Sequence, residues 1–203
     1  AEGFAICDRL VKEEGLTFIH PFDGRNVALG TGTLGAEIAD DAPDLDAVVI
    51  AVGGGGLASG AARAIKLLRP DCAVYGVEPA GAPSMRRSFD QGSPVKLERI
   101  DTVADSLAPP MALPYSYGLA RAHIDDVVLV DDDAICAALA VMQAEARLAV
   151  EPAAAAPVAA LMGPLRARLA GKRVGLVVCG ANIDGATYDA LLQRGLRQRP
   201  IPS

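Results

Sequence analysis

Four consecutive glycines, Gly53–Gly56, follow the most apolar run of the chain and lead into an amphipathic stretch that starts at Leu57. Without Cβ atoms, successive backbone N–H groups can turn toward one anion. A helix beginning at Leu57 adds the positive end of its dipole to the same place. A phosphate group suits that chemistry, and a plain strand-to-helix turn would need fewer glycines. No Gly-Lys-Ser/Thr follows, so the run is not a nucleotide P-loop. Its spacing also differs from the Gly-x-Gly-x-x-Gly of dinucleotide sites.

Three further motifs carry polar groups that could act. Cys179, in Val178-Cys179-Gly180-Ala181-Asn182, ends the last apolar run. A small side chain there stands at the carboxyl edge of a sheet, where open α/β folds bind ligands; taken alone, it reads as a small buried hydrophobe. Glu78, a backbone carbonyl and Ser84, within Gly76–Ser84, are oxygen donors of the kinds a hard cation takes. The same carboxylate could instead cap a helix or end a strand in solvent. Glu151 precedes Pro152, a residue suited to the first position of a helix, where a carboxylate meets the helix dipole favourably. His20 and His123 are the only histidines and lie far apart, so neither a nucleophile triad nor a metal cluster can be built on them.

The elements that must position these groups follow from the hydrophobic pattern. Apolar runs at Thr17–His20, Ala47–Val52, Ala73–Val77, Val127–Val130 and Val174–Val178 show little polar alternation, which predicts strands buried on both faces. Helical patterns occupy Gly3–Glu14, Gly32–Asp40, Leu57–Leu68, Pro83–Gln91, Asp133–Leu148, Ala153–Leu169 and Asp184–Arg194, with Asp132 and Asp184 as expected N-caps and Gly15 as a C-cap. Alternation of the two predicts an α/β fold: a doubly wound, mostly parallel sheet with helices on both faces. Gly92–Pro114 is irregular and reads as a long functional connection. Residues 1–197 are expected to form one domain, incomplete on its N-terminal side, and 198–203 a flexible tail.

A formal net charge of -6 with no basic cluster argues against nucleic acid or an anionic membrane as partner. Cys7, Cys72, Cys136 and Cys179 are scattered, with neither disulfide nor zinc spacing. Together with the lack of a signal-peptide pattern, this predicts a cytoplasmic protein.

Together the motifs resemble the fold-type II pyridoxal-phosphate enzymes, in the branch of serine/threonine dehydratases (threonine ammonia-lyases) and serine racemase. The resemblance runs through His20-Pro21-Phe22, Gly30-Thr31-Gly32-Thr33, Gly53–Gly56, Glu78-Pro79, Thr102-Val103-Ala104-Asp105, Glu151-Pro152 and Cys179-Gly180-Ala181-Asn182, over nearly the whole chain. It implies pyridoxal 5'-phosphate as cofactor. Gly53, Gly54, Gly55, Gly56 and Leu57 would hold its phosphate, Cys179 would face its pyridine nitrogen, and Glu151 would support its ring. It also implies a cation site at Glu78, Ala82 and Ser84. Ser84 stands where cation-dependent relatives have Asp, so a magnesium, calcium or monovalent ion would bind weakly there or not at all. Ser106 stands where the family pattern Ala-Asp-Gly has glycine, which implies a shifted substrate preference.

The activity implied is a dehydratase, or ammonia-lyase, acting on a 3-hydroxy amino acid: L-threonine or L-serine goes to a 2-oxo acid and ammonia. Alternatives on the same scaffold are a serine racemase and a hydroxyaspartate or phenylserine dehydratase. An alternative of another class is a catalytically silent ligand-binding fragment. A homodimer taking a small amino-acid substrate is expected. The family's Schiff-base lysine, in a Ser-Phe-Lys-type motif, and its Ser-Gly-Asn-type substrate loop have no counterpart in the sequence. Lys12, Lys66, Lys96 and Lys172 stand in other contexts. No catalytic residue is therefore assigned in this chain. The expectation is a missing N-terminal portion, no dehydratase activity from the chain alone, and no C-terminal regulatory domain.

Overall fold

A computed structural model describes residues 2–198; residues 199–203 of the expected tail lie outside the described residues. Two helices, α1 (Glu2–Glu14) and α2 (Arg25–Asp41), precede the first strand, β1 (Ala47–Ala51). Then come α3 (Gly56–Leu68), β2 (Ala73–Pro79), α4 (Ser84–Gln91), α5 (Pro114–His123) and β3 (Asp126–Val130). The chain finishes with α6 (Asp132–Val141), α7 (Pro152–Met162), β4 (Val174–Leu176) and α8 (Gly185–Gln198). The four strands form one parallel sheet in the order β3-β2-β1-β4.

β1 shows why the sheet is covered twice. Every residue of Ala47–Ala51 is buried, and the two-residue period of a strand sends alternate side chains to opposite faces. Val48, Ile50 and Val52 join a core with α3 and α5, through Ala58, Ala61, Ile65 and Ala120. Ala47, Val49 and Ala51 join another with α6 and α7, through Ile135, Leu139 and Ala153–Ala156. α7 is apolar on all sides and almost wholly buried, as a central covering helix must be.

Glycine spacing explains the α2–α3 pair. A Cβ on Gly35 would collide with the Ala61 carbonyl, and one on Gly60 would meet Thr31 Oγ1 and the Ala28 backbone. Gly30-Thr31-Gly32-Thr33 is therefore helical, inside α2, and its small residues let two helices nearly touch. Glycine in a helix interior costs about 1 kcal/mol against alanine; the close packing outweighs it. That is why α2 begins at Arg25 and not at Gly32.

Other expectations are corrected. Thr17–His20 forms no strand: Leu16, Phe18 and Ile19 stay exposed, and the rings of Phe18 and His20 pack on each other and on Phe4 instead. The expected helix 133–148 is α-helical only to Val141, then turns through a π-helical segment, Met142–Ala146. The helix expected to Leu169 stops at Met162, before Gly163 and Pro164. β4 ends at Leu176, although the Val177 N–H still reaches Val49 O at 3.1 Å. Asp131, not Asp132, caps α6, accepting from Ala134 N at 2.7 Å. Asp132 instead receives Thr102 Oγ1 at 2.7 Å and Val103 N at 3.0 Å, and so anchors the long connection. Asp184 caps α8 and Gly15 ends α1 with φ 68°, both as expected.

Candidate functional site

The carboxyl ends of β1 and β4 and the start of α7 meet around a cavity of about 340 Å³. Gly53–Leu57 form one wall, Glu151 and Cys179 another, and Ser106, Leu107 and Pro109 of the long connection a third. Gly53 must be glycine because the Ser106 carbonyl would lie 2.9 Å from a Cβ there. Gly55 has φ 92°, the left-handed region that side chains avoid. A Cβ on Gly54 would collide with the Phe22 ring, and one on Gly56 would lie 2.7 Å from Phe22 Cα.

The loop's polar groups divide sharply. Three of its carbonyls are taken: Ser116 Oγ donates to Gly54 O at 2.9 Å, Ser59 N to Gly55 O at 2.8 Å, and Thr31 Oγ1 to Gly56 O at 2.8 Å. Its N–H groups, Gly53 through Leu57, donate to no acceptor among the described residues. Five unpaired donors at the start of a 13-residue helix form a cradle whose chemistry fits a phosphate dianion.

Glu151 is buried, and its backbone N–H donates to Gly180 O at 3.2 Å. A Cβ on Gly180 would lie 2.9 Å from Glu151 Oε1, so the carboxylate rests directly on the loop that carries Cys179. Cys179 is exposed as a residue. Burial of its thiol by close neighbours, followed by the negative charge of Glu151, nevertheless pushes its pKa up. The thiol is thus neutral at physiological pH.

Glu78, Ala82 and Ser84 lie apart from the cavity, where β2 passes into α4. Glu78 is fully buried. Its Oε1 accepts from Met85 N at 2.7 Å and Ser84 Oγ at 3.3 Å, and its Oε2 from Arg86 N at 2.7 Å. The Ala82 carbonyl accepts from Ser84 N at 3.0 Å. The carboxylate is thus the N-terminal cap of α4, one of the three roles its sequence context allows. Among the described residues no group of three or more His, Cys, Asp or Glu side chains is placed to hold a metal ion.

Two contributors were not legible as site residues. Phe22 packs across the glycine loop, and Ser116 on the unexpected α5 supports it from behind. Pro114 at the first position of α5 was the available signal for that helix; nothing in the sequence marks Ser116 as a neighbour of Gly54. None of Lys12, Lys66, Lys96 and Lys172 lines the cavity. Lys66 pairs with Asp125 at 2.8 Å and Lys172 with Asp46 at 3.5 Å.

Comparison with known proteins places the chain in a family. The family model described as "Pyridoxal-phosphate dependent enzyme" matches residues 1–180. Phenylserine dehydratase of Ralstonia pickettii is 49% identical over 185 residues, 91% of this chain and 57% of that protein. An L-threonine ammonia-lyase of Thermotoga maritima is 35% identical over 195 residues, 96% of this chain and 48% of that protein. Among solved structures, the processed form of threonine deaminase isoform 2 from Solanum lycopersicum superposes with a TM-score of 0.86 at 35% identity, covering 92% of this chain and 55% of that one. Maize serine racemase gives 0.85 at 29% identity, covering 93% and 60%. The chain spans about half the length of the curated relatives it matches.

Proposed function

The chain belongs to the pyridoxal-phosphate dependent enzyme family, and from that premise we propose that it forms the cofactor-binding part of a dehydratase, or ammonia-lyase, acting on a 3-hydroxy amino acid. The observation that carries this reading is the row of unpaired N–H groups from Gly53 to Leu57, which faces a cavity shared with Glu151 and Cys179. When bound, pyridoxal phosphate supplies an electron sink for negative charge at the substrate α-carbon. Gly53–Leu57 would hold its phosphate through backbone donors. Cys179 would meet its ring nitrogen as a neutral thiol, and so would leave that nitrogen without the proton a carboxylate partner would stabilise. Glu151 keeps the Cys179–Gly180 loop in place.

L-Threonine and L-serine are the leading substrates, each giving a 2-oxo acid and ammonia. A substrate with an aryl group on its β-carbon is the second reading. The apolar Phe22, Leu107 and Pro109 in the cavity wall favour it, as does the 49% identity to a phenylserine dehydratase. None of the four lysines lines the cavity, so on this reading the base that removes the α-proton would be supplied from outside these 203 residues. We further read the protein as a cytoplasmic homodimer. Its four cysteines are free thiols, and among the described residues no helix is long and apolar enough to cross a membrane.

Titration of the 203-residue chain with pyridoxal 5'-phosphate, with inorganic phosphate as competitor, tests the cofactor site, and a 2-oxo acid assay on threonine, serine and phenylserine tests the chemistry. The expected result is phosphate-dependent binding without turnover. Failure of phosphate to compete would overturn the site, and robust 2-oxo acid release by the chain alone would overturn the external base.

A further inference from the structure

We propose that Ser116 and Asp23 are positioning residues for the phosphate loop: through a relay of two hydrogen bonds they hold the Gly53–Gly56 backbone with its N–H groups turned to the cavity. The proposal rests on reading that loop as the phosphate site and names what keeps it in shape.

A glycine run is the most flexible backbone a chain can have. Four in a row make a good anion cradle only if something else fixes their dihedral angles. Side chains cannot, because these residues have none; the constraint must come from neighbours that grip the carbonyls or fill the Cα faces. Ser116 does both. It is buried. Its Oγ lies 2.9 Å from Gly54 O and 3.2 Å from Leu113 O, and the shorter contact is the one to the loop. Its Cβ lies 3.3 Å from where a Cβ on Gly55 would stand, so it also blocks the back of the left-handed residue. Turning the Gly54 carbonyl toward Ser116 aims the next N–H of the loop, that of Gly55, in the opposite direction, because the two are antiparallel within the shared trans peptide plane.

Ser116 is itself held from outside its helix. Its backbone N–H donates to Asp23 Oδ1 at 2.7 Å, so Asp23 caps the first turn of α5 from a segment 93 residues away in sequence. A carboxylate there also meets the positive end of the α5 dipole. Asp23 adjoins Phe22, whose ring covers Gly54 and whose N–H donates to His20 Nδ1 at 3.2 Å. The segment His20–Asp23 thus forms a strap across one side of the loop, tied through Asp23 to the Ser116 that supports the other.

The test compares pyridoxamine 5'-phosphate with pyridoxamine in fluorescence titrations of the 203-residue chain. Neither probe carries an aldehyde, so surface lysines do not react. The wild type should bind the phosphorylated probe more tightly. Ser116→Ala should lower that affinity about tenfold, the worth of one hydrogen bond, and leave pyridoxamine binding unchanged. Asp23→Asn keeps an acceptor for Ser116 N, whereas Asp23→Ala removes it. Both are uncharged, so tighter phosphorylated-probe binding by the Asn variant isolates the hydrogen bond. Equal losses for the two probes, or no loss in Ser116→Ala, would overturn the relay and leave the phosphate site standing. A wild type that does not prefer the phosphorylated probe would overturn the site and the relay with it.

Discussion

α3 and α4 follow neighbouring strands, β1 and β2, and start at the same edge of the sheet, yet they begin in opposite ways. The first turn of α4 is closed by its own chain, with the fully buried Glu78 taking the N–H groups of Met85 and Arg86 and the Ser84 hydroxyl. The start of α3 has glycines where a cap would be, and five N–H groups without an acceptor among the described residues. A helix N-terminus attracts a negative charge in either case. The fold satisfies one internally and leaves the other open, which is what the proposed phosphate site requires, while α4 is closed by its own chain. The two touch: Met85, second residue of α4, has its Cε 2.6 Å from where a Cβ on Gly55 would stand, so the closed end braces the open one.

Removing the internal cap should have the largest effect. Glu78→Ala leaves two buried N–H groups unpaired and a cavity behind them. It should cost roughly 3 kcal/mol, a drop of about 6–12 °C in Tm for a chain of this size, read by thermal unfolding. Titration sharpens the point. Burial pushes the Glu78 carboxyl up to about 7 from its ordinary 4.5, against the pull of the Met85 and Arg86 N–H groups and the Ser84 hydroxyl. Between those values the folded state keeps a proton that the unfolded chain has released. Stability from this group is therefore full below pH 4.5 and declines as pH rises toward 7, by about 3 kcal/mol in all. Asp46, Asp90 and Asp184, held below the usual range chiefly by hydrogen bonds, act in the opposite sense, and only at more acidic pH. Urea unfolding across this range should show the decline in the wild type and a flatter profile in Glu78→Gln; a wild type that gains stability over the same range would refute the assignment.

Filling the open end should affect binding more than folding. In Gly54→Ala the new methyl would displace the Phe22 ring and twist the loop, an overpacking cost of about 1–3 kcal/mol. If that strain falls wholly on the cradle, affinity for pyridoxamine 5'-phosphate drops by up to about 100-fold. Tm should move far less than in Glu78→Ala. Unchanged affinity would mean that the Gly54 N–H is not part of the cradle.

The contrast between the two helix starts was only half legible in the sequence. The tetraglycine run announced itself, because four residues without side chains after a buried strand have few other uses. The doubly wound sheet was legible for a similar reason, since strands apolar on both faces demand two covering layers. Glu78 stayed ambiguous: whether a carboxylate binds an ion or caps a helix depends on where α4 begins relative to it. α5 was missed because Tyr115-Ser116-Tyr117-Gly118 carries no strong helical period, and the helix is held by packing on α3 and by the Asp23 cap. Thr17–His20 misled because β-branched and aromatic residues were read as a strand, although burial against neighbours, not composition, makes one.

The smallest effect expected is that of a metal ion. Four ligand-bearing atoms at Glu78, Ala82 and Ser84 are already used within the chain, three as acceptors or donors in the α4 cap and one as the Ala82 carbonyl that accepts from Ser84 N. An ion could enter only by taking a carboxylate oxygen from a backbone N–H, which would reopen the end of α4. A site filled at a hundred times its dissociation constant would stabilise the fold by about 2.7 kcal/mol, and so raise Tm by several degrees. Because the internal cap supplies that stabilisation already, millimolar magnesium or calcium, or a chelator, should shift Tm by less than about 1 °C. A clear rise with one ion, abolished by Glu78→Gln, would show that the two helix starts are alike after all, each waiting for a ligand of opposite sign.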